Sequence, residues 1–479
     1  SPFAFANTMH GQRDREATLD TYGQFLTRLH ATFLYGGVVN GDGDWFKVVA
    51  SGGRDDGEPD PEILRFCDDT RDRLAEVVMS ESTGFTEQFF AMLQERTAFG
   101  NGVLYAGDRP GGLPVVRCAP MADVAWEGGA GHEPGAYWWR QRLTAAEWAR
   151  KFPERKLGEA ITTAAASPSR RNEPFTFIHG CMANPGWAPT VADQEPPKRR
   201  YLSVWLNEQE KHLVTHNFLT SDPYTAFRCP RRANELYGRG PADEAMEEAA
   251  MAQRVRAVVI RGMEKAIDPV MLLPDDGVVS TVTNESEGAM VVRAEMMSRP
   301  GDPIRYLKHE GRPDIGQEWL STGIYGAMDR AFGRDVMSLP REPRMVESQI
   351  IGLQEEQSRG VVPLLSPLFA PTARLLARIY DICKRQGRMP KLPHTDRQYT
   401  LSIEFRNPLE KAARLAEVRA LMQAMTIQAQ GMQIDPGARH ALKVVKGVQD
   451  AARTLGVPEK LIMTDKEITE ALEAAAQVQ

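Results

Sequence analysis

Cysteine is scarce and poorly placed for bridging. Cys67, Cys118, Cys181, Cys229 and Cys383 are odd in number, scattered and never in a CxxC spacing. That argues against a disulfide framework or a zinc site and fits a reducing compartment. Long apolar runs are missing too. None approaches the roughly 18 residues a membrane span needs, and the best, residues 360–371, carries Pro363, Pro367 and Pro371 and reads as core or loop. Positive charge is not in surplus: 58 Lys and Arg against 64 Asp and Glu give a net charge of -6. A protein that grips nucleic acid neutralises phosphate with basic residues, so DNA contact here is expected to be loose. The N-terminus shows no signal-peptide pattern, and a chain starting at Ser1 instead of Met is expected to have upstream residues. Internal repeats and low-complexity tracts are also absent.

Catalytic patterns are missing as well. Gly311 to Gly316 has the two glycines of a phosphate loop, but Gln317 and Glu318 stand where Lys and Ser or Thr must meet phosphate and Mg²⁺; it reads as the start of a helix. Asn40-Gly-Asp-Gly-Asp44 resembles the start of a calcium loop, yet Trp45 replaces the required glycine and Ser51 the bidentate Glu. The nine histidines include no HExxH, and no Gly-x-Ser-x-Gly elbow occurs. His212 and His216 fall on a β-like run, where period-two alternation puts both on one face; they read as edge-strand histidines. No metal, no cofactor and no enzymatic activity are expected.

What is present is an ordinary soluble composition, 42% hydrophobic and 25% charged over 479 residues, enough for several domains. Helices are expected at 16–35, ending at Gly36-Gly37, at 61–79 and at 83–98, with a short strand at 45–50. From Gly100 to Phe227 the chain is punctuated by Gly and Pro, with β-like runs at 103–106, 114–118, 137–143, 175–179, 201–205 and 211–216 and a small helix at 144–152. This predicts an α+β fold around an antiparallel sheet. Further strands are expected at 270–273, 277–282, 289–293 and 398–405. Helices are expected at 313–331, 345–360, 372–387, 407–430, 436–455 and from Thr464.

The chain is organised around residues 233–276. Tyr237-Gly-Arg-Gly-Pro241 reads as a tight, backbone-close lead-in, with Pro241 suited to a first helical turn. A helix then runs to Ile267, stopped by Asp268-Pro269. Acids gather at its start and bases towards its end, the order the helix dipole favours. On a helical wheel Asp243, Glu247, Arg254, Arg261 and Lys265 form one seam, beside an apolar stripe of Met251, Val255, Val258, Gly262 and Ala266. Such a helix is either amphipathic with a solvated face or in need of neighbours on two sides. Arg334, Arg341 and Arg344 lie in or beside a segment with two prolines, expected to be a loop between helices.

Taken in order, several segments resemble one family. They are Trp45-Phe-Lys-Val48, Thr97-Ala-Phe-Gly-Asn-Gly-Val-Leu-Tyr105, Trp139-Arg-Gln-Arg-Leu-Thr-Ala-Ala-Glu-Trp148, Leu236-Tyr-Gly-Arg-Gly-Pro-Ala242, Ala266-Ile-Asp-Pro-Val-Met-Leu-Leu-Pro-Asp-Asp-Gly277, Pro408-Leu-Glu-Lys-Ala412 and Leu455-Gly-Val-Pro-Glu-Lys-Leu-Ile462. The ordered set is similar to the portal, or head-to-tail connecting, proteins of short-tailed bacteriophages. The resemblance implies an α/β wing (1–239 and 345–406), a stem of two helices (240–267 and 311–332), a small β-containing clip (268–310), a channel loop (333–344) and a helical crown (407–479). It places Arg334, Arg341 and Arg344 in the DNA-channel loop, Asp243, Glu247, Arg254, Arg261 and Lys265 on an intersubunit stem face, and Asp275, Asp276 and Gly277 at the clip turn. Arg344-Met-Val-Glu-Ser348 replaces the Thr-Ala-Thr-Glu-like helix start common in relatives, and the C-terminal part is too short for a long crown barrel.

The function so implied is a ring, typically of twelve subunits, at one capsid vertex of the virion, assembled in the host cytoplasm. Double-stranded DNA passes through it without sequence specificity during packaging and ejection. Its expected partners are a terminase large subunit, then a tail adaptor protein, with capsid and scaffolding proteins around it and no membrane. A ring of twelve would carry about -72, a field that repels phosphate and suits sliding. The alternative from the residues alone is a cytoplasmic α+β enzyme with a helical C-terminal domain.

Overall fold

The computed structural model describes residues 19–39, 45–51, 61–128, 133–186, 200–233, 235–269, 271–274, 289–292, 305–306, 312–337, 347–393, 400–405, 408–431 and 444–455, with isolated positions at 457, 461–463 and 468. The fold is α+β. The chain divides into two compact units: Ser1–Gln12, Ala31–Gly240 and Leu339–Gln479 form one, and Arg13–His30 with Pro241–Ser338 the other.

The first unit holds the second half of helix α1 (Tyr22–Val38), β1 (Phe46–Ser51), α2 (Pro61–Met79) and α3 (Phe85–Phe99). Strands β2 (Asn101–Gly107), β3 (Val115–Ala119), β4 (Val124–Gly128) and β5 (Pro134–Thr144) follow, then α4 (Ala145–Lys151) and α5 (Glu159–Ala166). Next come β6 (Pro174–Ala183), β7 (Tyr201–Asn207), β8 (His212–Leu219) and β9 (Tyr224–Arg228). Strands β4 to β8 form an antiparallel meander in chain order, and β3-β2-β9 a second antiparallel sheet. The antiparallel expectation holds, while β4, β9 and α5 are additions to it. The small helix α4 starts at a capping box in which Thr144 and Glu147 satisfy each other's backbone N–H groups.

Two expectations fail in this unit for identifiable reasons. Gly36-Gly37 does not end α1, which continues to Val38. A Cβ on Gly37 would lie 2.6 Å from Leu365, so the missing side chain lets two helices approach closely. Nor do the three prolines break residues 360–371: a single helix, α11 (Glu347–Arg385), runs through Pro363, Pro367 and Pro371. Interior prolines cost a hydrogen bond and clash with the preceding turn. At four-residue spacing they share one side of the helix, while Leu365, Leu368, Leu375, Leu376 and Ile379 on another side are buried in the main core with Phe85, Phe89 and Phe46. By length and composition Gly360–Arg385 could cross a membrane; here it contributes buried residues to the core of this unit. Strand β13 (Thr400–Phe405) pairs antiparallel with β1 over its full length, joining chain segments far apart in sequence. Helices α12 (Pro408–Gly431) and α13 (Val444–Leu455) complete the described C-terminal part. Residues 436–443 and the capping box at Thr464 lie outside the described residues.

Two motifs that carry the family resemblance meet within this unit. Gly100 adopts φ 71°, the left-handed region that glycine tolerates best, and a Cβ there would stand 2.2 Å from the Gly238 carbonyl. Asn101 clamps the same residue from both sides: its Nδ2 donates to the Gly238 carbonyl at 3.0 Å, and its Oδ1 accepts from the Gly238 N–H at 2.8 Å. Gly240 in turn passes the Arg96 and Thr97 carbonyls too closely for any side chain. The backbone-close lead-in expected at 237–241 is therefore held against the turn after α3.

The second unit contains the first half of α1, α6 (Pro241–Glu244), α7 (Met246–Ile267), α8 (Pro313–Glu318), a π-helical stretch (Trp319–Ile324), α9 (Tyr325–Ala331) and α10 (Arg334–Met337). It also holds a small sheet in which β10 (Met271–Pro274) pairs parallel with β11 (Ala289–Val292) and antiparallel with β12 (Arg305–Tyr306). Its core is Leu26, Ala245, Ala252, Leu320, Ile324, Met328 and Phe332.

Candidate functional site

The long helix sits where the sequence puts it. Only Ala245 departs from α geometry, and the ladder continues across it from Ala245 N–H to the Pro241 carbonyl and from Ala249 N–H to the Ala245 carbonyl. Asp268 ends it as expected, its N–H donating to Glu264. Its buried stripe, however, is one position away from the expected one. Ala245, Ala252 and Val259 are buried and Val255 is half-buried, whereas Met251 and Val258 are exposed. The alanines Ala245 and Ala252, with Val259, take the inward positions, where small side chains allow close approach, and Met251 and Val258 are left outside. Met263 and Ile267 of α7 are exposed as well, Ile267 at 84%, together with Ile315 of α8 and Trp319 at the start of the π-helical stretch.

The five seam residues Asp243, Glu247, Arg254, Arg261 and Lys265 are all exposed, and no ion pair joins any of them to another described residue. On α7 the exposed Met251 and Val258 thus lie beside the sorted charge, whereas Met263 and Ile267 are exposed on the side away from it.

A second group ties three chain segments together. Gln253 of α7 accepts the Leu19 and Asp20 N–H groups through Oε1 (2.9 and 3.0 Å), and its Nε2 donates to the Asp20 carbonyl at 2.6 Å. Asp20, nearly buried, caps α1 by accepting the Tyr22 N–H at 2.9 Å and also accepts the Tyr325 hydroxyl. Tyr22 and Tyr325 stack with centroids 4.0 Å apart. The Tyr22 hydroxyl donates to Asp329 at 2.7 Å and accepts from Arg334 Nη1 at 2.7 Å, while Arg334 pairs with Asp329 at 3.1 Å. Burial first, and then the carboxylates of Asp329 and Asp20, push the Tyr22 and Tyr325 phenols up to about 12. Asp20-Thr21 ahead of Tyr22 is a local helix-start signal of the Asx-turn kind; the long-range partners of Asp20 leave no such mark in the sequence.

Arg334 therefore opens a helical turn and faces Asp329 and Tyr22, so the segment from 333 to 343 is not wholly a loop. Arg341 and Arg344, and the expected turn at Asp275, Asp276 and Gly277, lie outside the described residues, as do the strand expected at 277–282 and the residues of Asn40 to Asp44. The helix start expected near Pro313 is α8, with Pro313 in its first turn. His212 and His216 do not share a face. The register slips between Trp205 and Leu206, leaving Val214 as an extra residue in β8, and one inserted residue reverses the alternation beyond it. Among the described residues no cluster of three or more His, Cys, Asp or Glu could hold a metal.

A family model described as bacteriophage head to tail connecting protein matches residues 1–463. The chain belongs to that family. Among solved structures, this head-to-tail connecting protein is similar to a chain in the virion of a native gene transfer agent particle, with 14% identity, 85% of each chain covered and a TM-score of 0.38. It is also similar to chains in the neck of an empty gene transfer agent particle computed with C6 symmetry and of a native one computed with C12 symmetry. Each shows 13% identity and a TM-score of 0.37, over 84% of this chain and 86% of the other. At those scores nothing about assembly follows from the likeness. No curated protein matches the chain.

Proposed function

We propose that this protein is a portal subunit: identical copies form a ring at one capsid vertex, through which double-stranded DNA is packaged and later ejected. The observation that carries this reading, beside family membership, is the exposed seam side of α7. Met251 and Val258 are exposed on α7 directly beside a seam of acids at one end and bases at the other, and Ile267 is exposed on the side of α7 away from that seam. Exposed apolar groups rimmed by charge mark a contact surface. A ring formed by heterologous, head-to-tail contacts would cover them in every copy and set the acidic part of one seam against the basic part of the next. On this reading residues 240–267 and 311–332 are the stem and 268–310 the clip. Terminase large subunit docks at the clip first and the tail adaptor afterwards, while Arg341 and Arg344 lie in the channel loop near DNA. The work of packaging comes from the terminase, and the location is the virion, after assembly among capsid and scaffolding proteins in the host cytoplasm.

Charge reversal tests the seam. Glu247→Lys or Arg261→Glu alone should weaken ring assembly in sedimentation experiments, because like charges then face each other, and the double reversal should recover part of it. Rings of unchanged stability in both single variants would count against the pairing.

A further inference from the structure

The first unit has a cleft of about 480 Å³ between β3, the edge strand of the β3-β2-β9 sheet, and β5 of the meander, closed at one end by the 3-10 turn Glu81–Thr83 and the start of α3. The two amide oxygens in its lining are both in use. Gln88 Oε1 accepts the Cys118 N–H at 2.8 Å. Gln141, buried on β5, accepts from Lys151 Nζ through Oε1 at 3.0 Å. An ammonium can only donate, so this bond fixes which way the amide is turned. The Gln141 Nε2 group is left as a donor without an acceptor among the described residues.

Two more donors are left over. Trp139 lines the cleft two positions before Gln141, on the same face of β5, and its buried indole N–H has no acceptor among the described residues. The Arg117 guanidinium on β3 makes no ion pair or hydrogen bond to a described residue. Buried polar groups are nearly always paired, so Trp139 and Gln141 together mark a place short of an acceptor. Lys151 stands behind Gln141, its Nζ 3.9 Å from the centroid of the Trp205 ring. Loss of water first, and then the Arg117 guanidinium, lower its amine from 10.5 to about 7. The one carboxylate in the lining, Glu81, is exposed and pairs with none of these groups.

The surplus is thus one of donors around a single lining cation. A phosphate dianion would meet Glu81 with only Arg117 to offset it, whereas one carboxylate matches the Arg117 fork in both charge and spacing. Val115, Pro120 and Leu143 add apolar wall, and the volume lies within the range of small-molecule sites, about 300–1,000 Å³. We propose that this cleft binds a carboxylate carried on an apolar body, with Arg117 and Gln141 Nε2 holding the carboxylate and Trp139 and Leu143 packing on the apolar part. The carboxylate is that of a free small acid or of an acidic side chain in a peptide.

The test is a ligand-observed NMR titration of the full chain with benzoate, with benzamide as the uncharged comparison. Benzoate should bind saturably, and benzamide about tenfold more weakly or less. Arg117→Ala should weaken benzoate about tenfold, the scale of one lost charge-assisted hydrogen bond. Gln141→Glu keeps an acceptor for Lys151 but replaces the free donor with an anion, so it should abolish binding, a loss that a merely structural role would not produce. Circular dichroism verifies that both variants are folded. A short capped peptide with one glutamate between leucines, titrated against bound benzoate, separates the sources: tighter binding than benzoate assigns an acidic side chain, and weaker competition or none a free acid. Absence of saturable benzoate binding, equal affinity for benzamide, or unchanged affinity in both variants overturns the site.

Discussion

His179 shows how a single buried group makes the first unit sensitive to acid. Its ring lies between Tyr105, Trp205 and Tyr224, with Nδ1 at 2.5 Å from the Tyr224 hydroxyl and Nε2 at 2.8 Å from Ser203 Oγ. Burial first, and then the Lys151 ammonium, pull its pKa from 6.5 down to about 3. The folded chain therefore keeps the imidazole neutral in a window where the unfolded chain protonates it. Stability should fall as pH drops from about 6.5 towards 3, by up to about 1.4 kcal/mol per pH unit. Asp222 acts the other way: burial raises its carboxyl from 3.8 to about 6, so between those values the folded state binds the extra proton and gains stability on acidification. The His179 contribution is isolated by comparison. His179→Gln should lose less stability than the parent chain between pH 6.5 and 4 in urea titrations. Parallel losses in the two proteins would show that the imidazole stays charged in the fold.

At the scale of elements, α1 belongs to both units, and its first half is the part whose role the sequence hides. Leu26 is fully buried among Ala245, Leu320, Ile324 and Met328, and Asp20 and Tyr22 reach Gln253, Tyr325, Asp329 and Arg334. Leu26→Ala should cost about 2–5 kcal/mol locally. Hydrogen exchange should then speed up in residues 320–332 along with residues 22–30; acceleration confined to 22–30 would mean that this half of α1 does not brace the π-helical stretch and α9. The extent of α7 was legible because Pro241, Asp268-Pro269 and the charge order are local signals. The face it buries was not, because alanines win the close contacts and a hydrophobicity count favours Met251 and Val258. Likewise β5 and β6 announce themselves by aromatic and β-branched residues, whereas the bulge at Val214 that separates His212 from His216 exists only in the pairing of β8 with β7. The three prolines of α11 mislead for the same reason: burial of Leu368, Leu375 and Ile379 outweighs a local penalty.

For the whole molecule, the family could be read from ordered short motifs, and the structure gives two of them a shared physical purpose in the Asn101 clamp on Gly238. What a single chain leaves open to solvent, the charged seam of α7 with Met251 and Val258 beside it, is what a ring would close. In such a ring the net charge of -6 per copy would accumulate around one axis, a field that would let DNA slide without holding it. Closure of identical copies of this chain into a ring would be visible by negative-stain electron microscopy of the purified full chain. Particles with a central hole are the predicted result, and a uniform field of compact monomers or dimers would contradict it.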